Sequence, residues 1–256
     1  MSSIPTPIEI CQFALESFHA IPYLNQPWWA SIMVFTVLVR AGTTLPLARL
    51  QYTRTRRLAG IQPILAAWKE ALTMREKIKR DAGGSGADYG VVSQAVTTEL
   101  RQKASELYKQ HNCHPIKTFL LPWIQIPVFI TMSLTLRSMS AYPLPFMTTS
   151  EAPIPGFKAG GELWFTDLTL PDPTWILPVC LGLLHNTNLK LQAERFPNAV
   201  NFQRFNTALR VLMLVLVPLM AQAPSAVTLY WVASAAFSLI QNTYLRHDAP
   251  RIEESK

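Results

Sequence analysis

The sequence is poor in charge. Only 15% of its 256 residues are Asp, Glu, Lys or Arg while 49% are hydrophobic, against roughly 25% charge in an ordinary soluble domain. That excludes an intrinsically disordered chain, which needs the opposite balance. Basic residues are missing from Met1 to Pro27, which carries Glu9 and Glu16 instead. A secretory signal opens with basic residues, and a mitochondrial transit peptide is rich in Arg and poor in acids. Neither pattern is present, so the sequence is expected to be processed, trimmed or addressed internally. Three cysteines, Cys11, Cys113 and Cys180, fall in three different regions, and no pair is placed to form a disulfide. His111, Cys113 and His114 cluster but lack a fourth ligand, so no metal site is expected. Phosphate-loop, GxSxG and HExxH patterns do not occur. We expect no cofactor and no enzyme chemistry.

What the chain does have is five stretches almost free of charge: Trp28 to Leu47, Ile116 to Leu136, Trp175 to Leu189, Val211 to Ala223 and Ser225 to Leu245. A bilayer core of roughly 30 Å takes about 20 apolar residues per helix, so the third and fourth are short. Buried helices of a soluble core are the alternative, but such helices keep one polar face and these show almost none. The expected fold is an all-α polytopic membrane protein with five transmembrane helices.

The basic residues orient it. Arg137 and Lys158 fall on one side, whereas twenty of the 23 Lys and Arg fall on the other, thirteen of them between Arg49 and Lys117. The N-terminal segment, residues 1–27, and the loop 137–174 are therefore expected outside, and the tail 246–256 inside. Trp28, Trp29, Trp164, Phe165 and Trp175 read as anchors at the headgroup level.

Between the first two spans, residues 49–115 form the long polar stretch. Leu58, Ile61, Leu65, Trp68 and Leu72 recur at steps of three and four, as on one face of a helix. Val96, Leu100, Ala104 and Leu107 make a second stripe, and Asp81 to Asp88, with three glycines, lies between as a turn. This predicts an inner-side antiparallel helical hairpin, with Pro63 marking a kink or the true helix start. Its basic residues, Arg75, Lys77, Lys79 and Arg80 among them, suit either a face beside anionic lipid or a docking arm for a partner.

Arg40 stands apart. It lies twelve positions after Trp28, roughly 18 Å along a helix, and Arg near the middle of a span faces a bundle interior or a wet cavity unless it snorkels to the surface. No Asp or Glu occurs in any of the five stretches to pair with it. Such a cation wants water or a visiting anion. Gln125 and Asn186 are the other demanding groups, because an amide in hydrocarbon needs partners; Gln241 lies in the last span.

Several blocks now fall into a known order. They are Val39-Arg40 with Leu45-Pro46-Leu47; Glu106-Leu107-Tyr108-Lys109, Asn112-Cys113-His114-Pro115 and Trp123-Ile124-Gln125-Ile126-Pro127; Leu163-Trp164-Phe165, Asp167-Leu168, Pro171-Asp172 and Ile176-Leu177-Pro178; and Leu229-Tyr230-Trp231 with Ile240-Gln241-Asn242. In this order the chain resembles the YidC/Oxa/Alb family of membrane protein insertases across Trp28 to Leu245, and within it the mitochondrial branch devoted to cytochrome c oxidase assembly. The resemblance implies an inner-membrane protein with its N-terminus in the intermembrane space and its C-terminus in the matrix. It also implies a groove, open to the inner side and to lipid, that receives hydrophilic client segments on Arg40, with Gln125, Asn186 and Gln241 as candidate wall residues. The implied client is oxidase subunit II, whose C-terminal domain must cross. Family members that dock ribosomes carry a long basic tail, whereas only His247 to Lys256 follows the last span here, so strong ribosome binding is not expected. A small-solute transporter and a non-translocating assembly scaffold are the competing readings. Transporters show related halves, and no such repeat is visible.

Overall fold

The computed structural model describes residues 5–22, 26–83, 89–113, 120–143, 152–194 and 200–247. These residues form an all-helical protein. The chain divides into two compact units, one made of Met1–Pro46 with Trp123–Lys256 and the other of Leu47–Pro122.

In the first unit, α1 (Pro7–His19) starts where sequence chemistry says it should: the Thr6 hydroxyl accepts from the Glu9 amide, the Glu9 carboxylate accepts from the Thr6 amide at 2.6 Å, and Pro7 opens the first turn. Helix α2 (Trp28–Gly83) contributes its first part to this unit. It passes through Pro46 and Pro63 without restarting, so Pro63 is not a helix start. The apolar run that begins at Trp28 has no helix end at Leu47, and α2 is the helix long and apolar enough to cross a membrane among the described residues.

Helix α4 (Leu120–Met139) covers the described part of the second apolar stretch, whose residues 116–119 lie outside the described residues; α5 (Ile176–Ala193) covers all but Trp175 of the third, and α8 (Ser225–His247) covers the last. The fourth differs. Helix α6 (Val200–Val215) begins eleven residues before the expected Val211 and is followed by the four-residue α7 (Val217–Met220). Pro218 sits in the first turn of α7; lacking an N–H and fixing φ, it opens a new helix rather than extending the old one.

The five aromatics expected as anchors do not share one environment. Trp28 and Phe165 are buried, at 6% and 7% exposure, whereas Trp175 is half exposed. The His19 ring stacks on Trp28 at 3.7 Å, Phe157 meets its edge at 5.0 Å, and its Nε1 donates to the Pro155 carbonyl at 3.3 Å. Gly160 permits this approach, since a Cβ there would stand 2.7 Å from the Trp28 Cβ. The segment 152–168 thus folds over the start of α2, joined also by the Trp29 amide on the Gly160 carbonyl at 2.9 Å.

The same segment supplies helix starts. Asp172, buried, accepts from the Thr174 amide and hydroxyl at 2.9 and 2.7 Å and from the Leu177 amide at 2.7 Å. Burial pushes its carboxyl up, but these bonds to Leu177 and Thr174 outweigh burial and hold it below the usual range. The Leu168 and Leu170 carbonyls accept from the Ala226 and Ser225 amides at 3.1 and 2.8 Å, filling orphan donors in the first turn of α8. Inside, α1 and α4 pack through Leu15, Met132 and Leu136, and Phe129 of α4 lies against Tyr230 and Trp231 of α8. Large apolar side chains also face outward: Val34, Val37 and Leu38 on α2, Ile126 and Ile130 on α4, Val179 and Leu183 on α5, Leu219 on α7 and Ile240 on α8. A watery exterior disfavours so much apolar surface; hydrocarbon does not.

The second unit holds the remainder of α2 and α3 (Tyr89–Gln110). Ile61 and Leu72 of the first stripe are buried, while Trp68 is exposed, with the Lys103 ammonium 5.7 Å above its ring. Arg75 of α2 pairs with Glu99 of α3. Residues later in α2 therefore meet residues earlier in α3. The end of the expected turn, 84–88, lies outside the described residues.

Candidate functional site

Arg40 sits on the fourth turn of α2 and is 7% exposed. The backbone around it is braced by hydroxyls that bond back one turn: Thr36 to the Ile32 carbonyl at 2.6 Å and Thr44 to the carbonyl of Arg40 itself at 2.8 Å. Such bonds leave Thr36 and Thr44 satisfied at almost no exposure. The guanidinium reaches α8, where Nη1 donates to the Ser234 carbonyl and, at 2.6 Å, to the Ser238 hydroxyl, with Cζ 5.8 Å from the centre of the Phe237 ring. Ser238 in turn donates to the Ser234 carbonyl at 3.1 Å. Every one of these acceptors is neutral. Nε and Nη2 have no hydrogen-bond acceptor among the described residues.

Arg40 also lines a cleft, whose other walls are Thr36, Val39 and Thr44 of α2, Gln125, Val128, Phe129 and Met132 of α4, and Tyr230 of α8. The structure therefore brings two of the expected site residues, Arg40 and Gln125, to one cleft. Its walls mix polar groups, from Thr36, Arg40, Thr44 and Gln125, with apolar ones, from Val39, Val128, Phe129 and Met132.

Asn186 and Gln241 go elsewhere. The Asn186 side-chain oxygen accepts from Arg210 Nε of α6 at 2.7 Å. The Gln241 side-chain oxygen is buried with no hydrogen-bond partner among the described residues. Neither lines the cleft. Asn188 makes the connection between helices here: its Nδ2 donates to the Ala235 carbonyl of α8 at 3.0 Å, and its oxygen accepts from Asn242 at 3.1 Å. Sequence reading passed over Ser238, Asn188 and Asn242 as site residues. The signal was available for Ser238, because Ser234 and Ser238 stand four apart and so share one face of α8.

In the second unit, Arg75 is not a free basic group. It is bound by Glu99 and by Glu76, at 3.2 Å for the latter; the Glu99 carboxylate, then Glu76, push its guanidinium up. Lys77 is exposed. The side chains of Lys79 and Arg80 lie outside the described residues.

A helical protein with apolar side chains turned outward, and a buried arginine at a cleft between helices, belongs to the class of membrane proteins that hold polar groups within their helical core. Comparison with known proteins gives the family. The model described as 60Kd inner membrane protein matches residues 20–252, and the chain belongs to that family, the YidC/Oxa/Alb family. The chain is 34% identical over 249 residues to the human cytochrome c oxidase assembly protein COX18, mitochondrial, spanning 94% of this chain and 71% of the relative. It is 32% identical over 221 residues to the Schizosaccharomyces pombe protein of that name, spanning 86% and 93%. The mitochondrial inner membrane protein OXA1 of Arabidopsis thaliana is 31% identical over 241 residues, spanning 94% of this chain and 49% of its own length.

Proposed function

We propose that this protein is an insertase of the mitochondrial inner membrane that serves cytochrome c oxidase assembly. It moves hydrophilic client segments, the C-terminal domain of oxidase subunit II among them, through the cleft around Arg40. The chain spans the membrane five times, with its N-terminus in the intermembrane space and its C-terminus in the matrix. The arms of α2 and α3 form an antiparallel hairpin on the matrix side, where Lys77, Lys79 and Arg80 meet lipid headgroups or clients. Support for this reading comes from the family, from the names of the relatives and from the basic residues gathered in one set of connecting segments.

The single observation that carries the mechanism is the state of Arg40: buried, charged and held by neutral acceptors beside a cleft. A buried guanidinium without a counter-ion is costly. It lowers the cost of bringing a polar segment out of water, because it offers that segment a charge-assisted hydrogen bond. Gln125 adds an amide to the same wall. The protein performs no bond chemistry in this scheme; it lowers a barrier.

The test is protease accessibility of the newly made subunit II tail in mitochondria that lack the endogenous relative and carry this chain or its Arg40→Ala form. The wild type is expected to expose the tail on the outer side of the inner membrane and the variant to retain it inside. Export at the normal rate by the variant would sink the arginine's role and favour an assembly scaffold. Solute flux through purified protein in liposomes would favour a channel.

A further inference from the structure

The three partners of Arg40 on α8 have one property in common: a main-chain carbonyl, a hydroxyl and a ring face carry no formal charge. They are good enough to hold a guanidinium in a low-dielectric place. None of them matches a carboxylate, which accepts two parallel N–H bonds from the planar fork. Among the described residues, only the Nη1 corner of that fork is taken up by hydrogen bonds, and the cleft lies against the same residue. Of the three partners Ser238 is the one whose hold resides in a replaceable polar side chain, and its 2.6 Å bond is made from one turn beyond the Ser234 carbonyl.

We infer that Ser238 is a positioning residue, a neutral perch that holds Arg40 between clients and gives it up when a carboxylate on the crossing segment arrives. This rests on the insertase reading and adds the residue that sets how readily Arg40 is released. The exchange is favourable because it trades a charge–neutral hydrogen bond for a charge–charge one. A carboxylate fixed at position 238 would occupy the fork permanently. A hydrogen there would leave Arg40 with one partner fewer and so more available.

The two changes should therefore act with opposite sign. The full chain, carrying a photocrosslinker at Val128 on the cleft wall, is tested in mitochondria lacking the endogenous relative. The probes are two model membrane segments that differ only in one Asp or Asn. With wild-type protein the Asp segment crosslinks and exports better than the Asn one. Ser238→Ala raises Asp-segment capture about threefold, and Ser238→Asp lowers it about tenfold, within the range set by the net worth of a single hydrogen bond. Ser238→Asn, the same shape as Asp without its charge, must not share the loss. Equal loss in Asp and Asn variants would make the effect steric and overturn the perch. So would loss of capture in Ser238→Ala, the deciding arm if Ser238→Asp fails to accumulate. Normal export by Arg40→Ala would instead sink the insertase role of the arginine. A defective Arg40→Ala beside an indifferent Ser238→Asp would sink the perch alone.

Discussion

Arg40 and Arg75 are one residue type used in two ways on the same helix α2. Arg75 is exposed and meets two carboxylates, Glu99 and Glu76. Arg40 is buried and, among the described residues, meets no carboxylate but a carbonyl, a hydroxyl and an aromatic ring. Stability alone would arrange them the other way. Exposed ion pairs contribute little, whereas a buried cation needs its counter-ion most. The carboxylates are placed where they matter least for folding and withheld where they matter most. A cation left partly unsatisfied at a cleft is what the proposed client-receiving role requires.

The sharpest way to break that comparison is to neutralise each arginine in turn. Arg40→Ala should lower client export about tenfold or more, the scale of a charge-assisted hydrogen bond, while leaving the protein at normal abundance. The readout is protease accessibility of the client tail, normalised to insertase level. Arg40→Lys keeps the charge but not the planar fork, and is expected to fall between. An Arg40→Ala protein that exports normally would mean that the missing carboxylate has no functional reason.

A second prediction asks whether neutral bonds hold the helices that a charge does not. Asn188 bonds to Ala235 and Asn242 across α5 and α8, so Asn188→Ala leaves Asn242 without this acceptor and opens a small void. We expect a loss of about 1–3 kcal/mol, measured by unfolding in detergent micelles. Asn186→Ala, whose partner Arg210 lies on α6, should cost less. Equal costs would show that the α5–α8 bridge is not special.

How legible all this was in the sequence depends on the physics of each signal. Apolar runs report helices faithfully, so α4, α5 and α8 lie within a few residues of the expected spans. Helix ends were harder. Leu47 read as an end because the composition changes from apolar to basic there, but a helix backbone is indifferent to that change and α2 continues through it to Gly83. The start of α6 was hidden for the same reason, since Asn201, Gln203 and Arg204 are polar yet helical. Arg40 was legible as the odd charge in an apolar run. Of its partners, the Ser234 carbonyl was not legible, because a carbonyl belongs to every residue, whereas the four-residue spacing of Ser234 and Ser238 did mark one face of α8. Trp28 looked like an anchor, and only the folded segment 152–168 shows it covered. That cover is also breakable: Gly160→Ala puts a Cβ within 2.7 Å of Trp28 and is expected to lower the melting temperature by a few degrees.

A further prediction concerns a carboxylate that is buried and satisfied, the counterpart to Arg40. Asp172 accepts three bonds at the start of α5, and its carboxyl is held below the usual range. A depressed folded value means that the stabilisation is fully present above the unfolded value, about 3.9, and is lost as pH falls through the folded one. Unfolding midpoints taken from pH 7 downward should stay level on this account to about pH 4 and then fall. Asp172→Asn should be less stable at neutral pH and should lose that part of the acid dependence. Parallel curves for the two proteins would assign the acid loss to other carboxylates.

The smallest expected effect belongs to Arg75. Its pair with Glu99 lies in water, where the Debye length shrinks from about 10 Å at 0.1 M salt to about 3 Å at 1 M. Glu99→Gln should lower the unfolding temperature slightly at low salt and indistinguishably at 1 M, because screening already removes the attraction that the substitution deletes. Arg40→Ala should show no such convergence, since salt does not reach a guanidinium that is 7% exposed. A salt-insensitive loss in Glu99→Gln would mean that this pair is desolvated in the membrane setting. Arg75 would then stand with Arg40 as a cation whose partner is indispensable, and the contrast between the two halves of α2 would disappear.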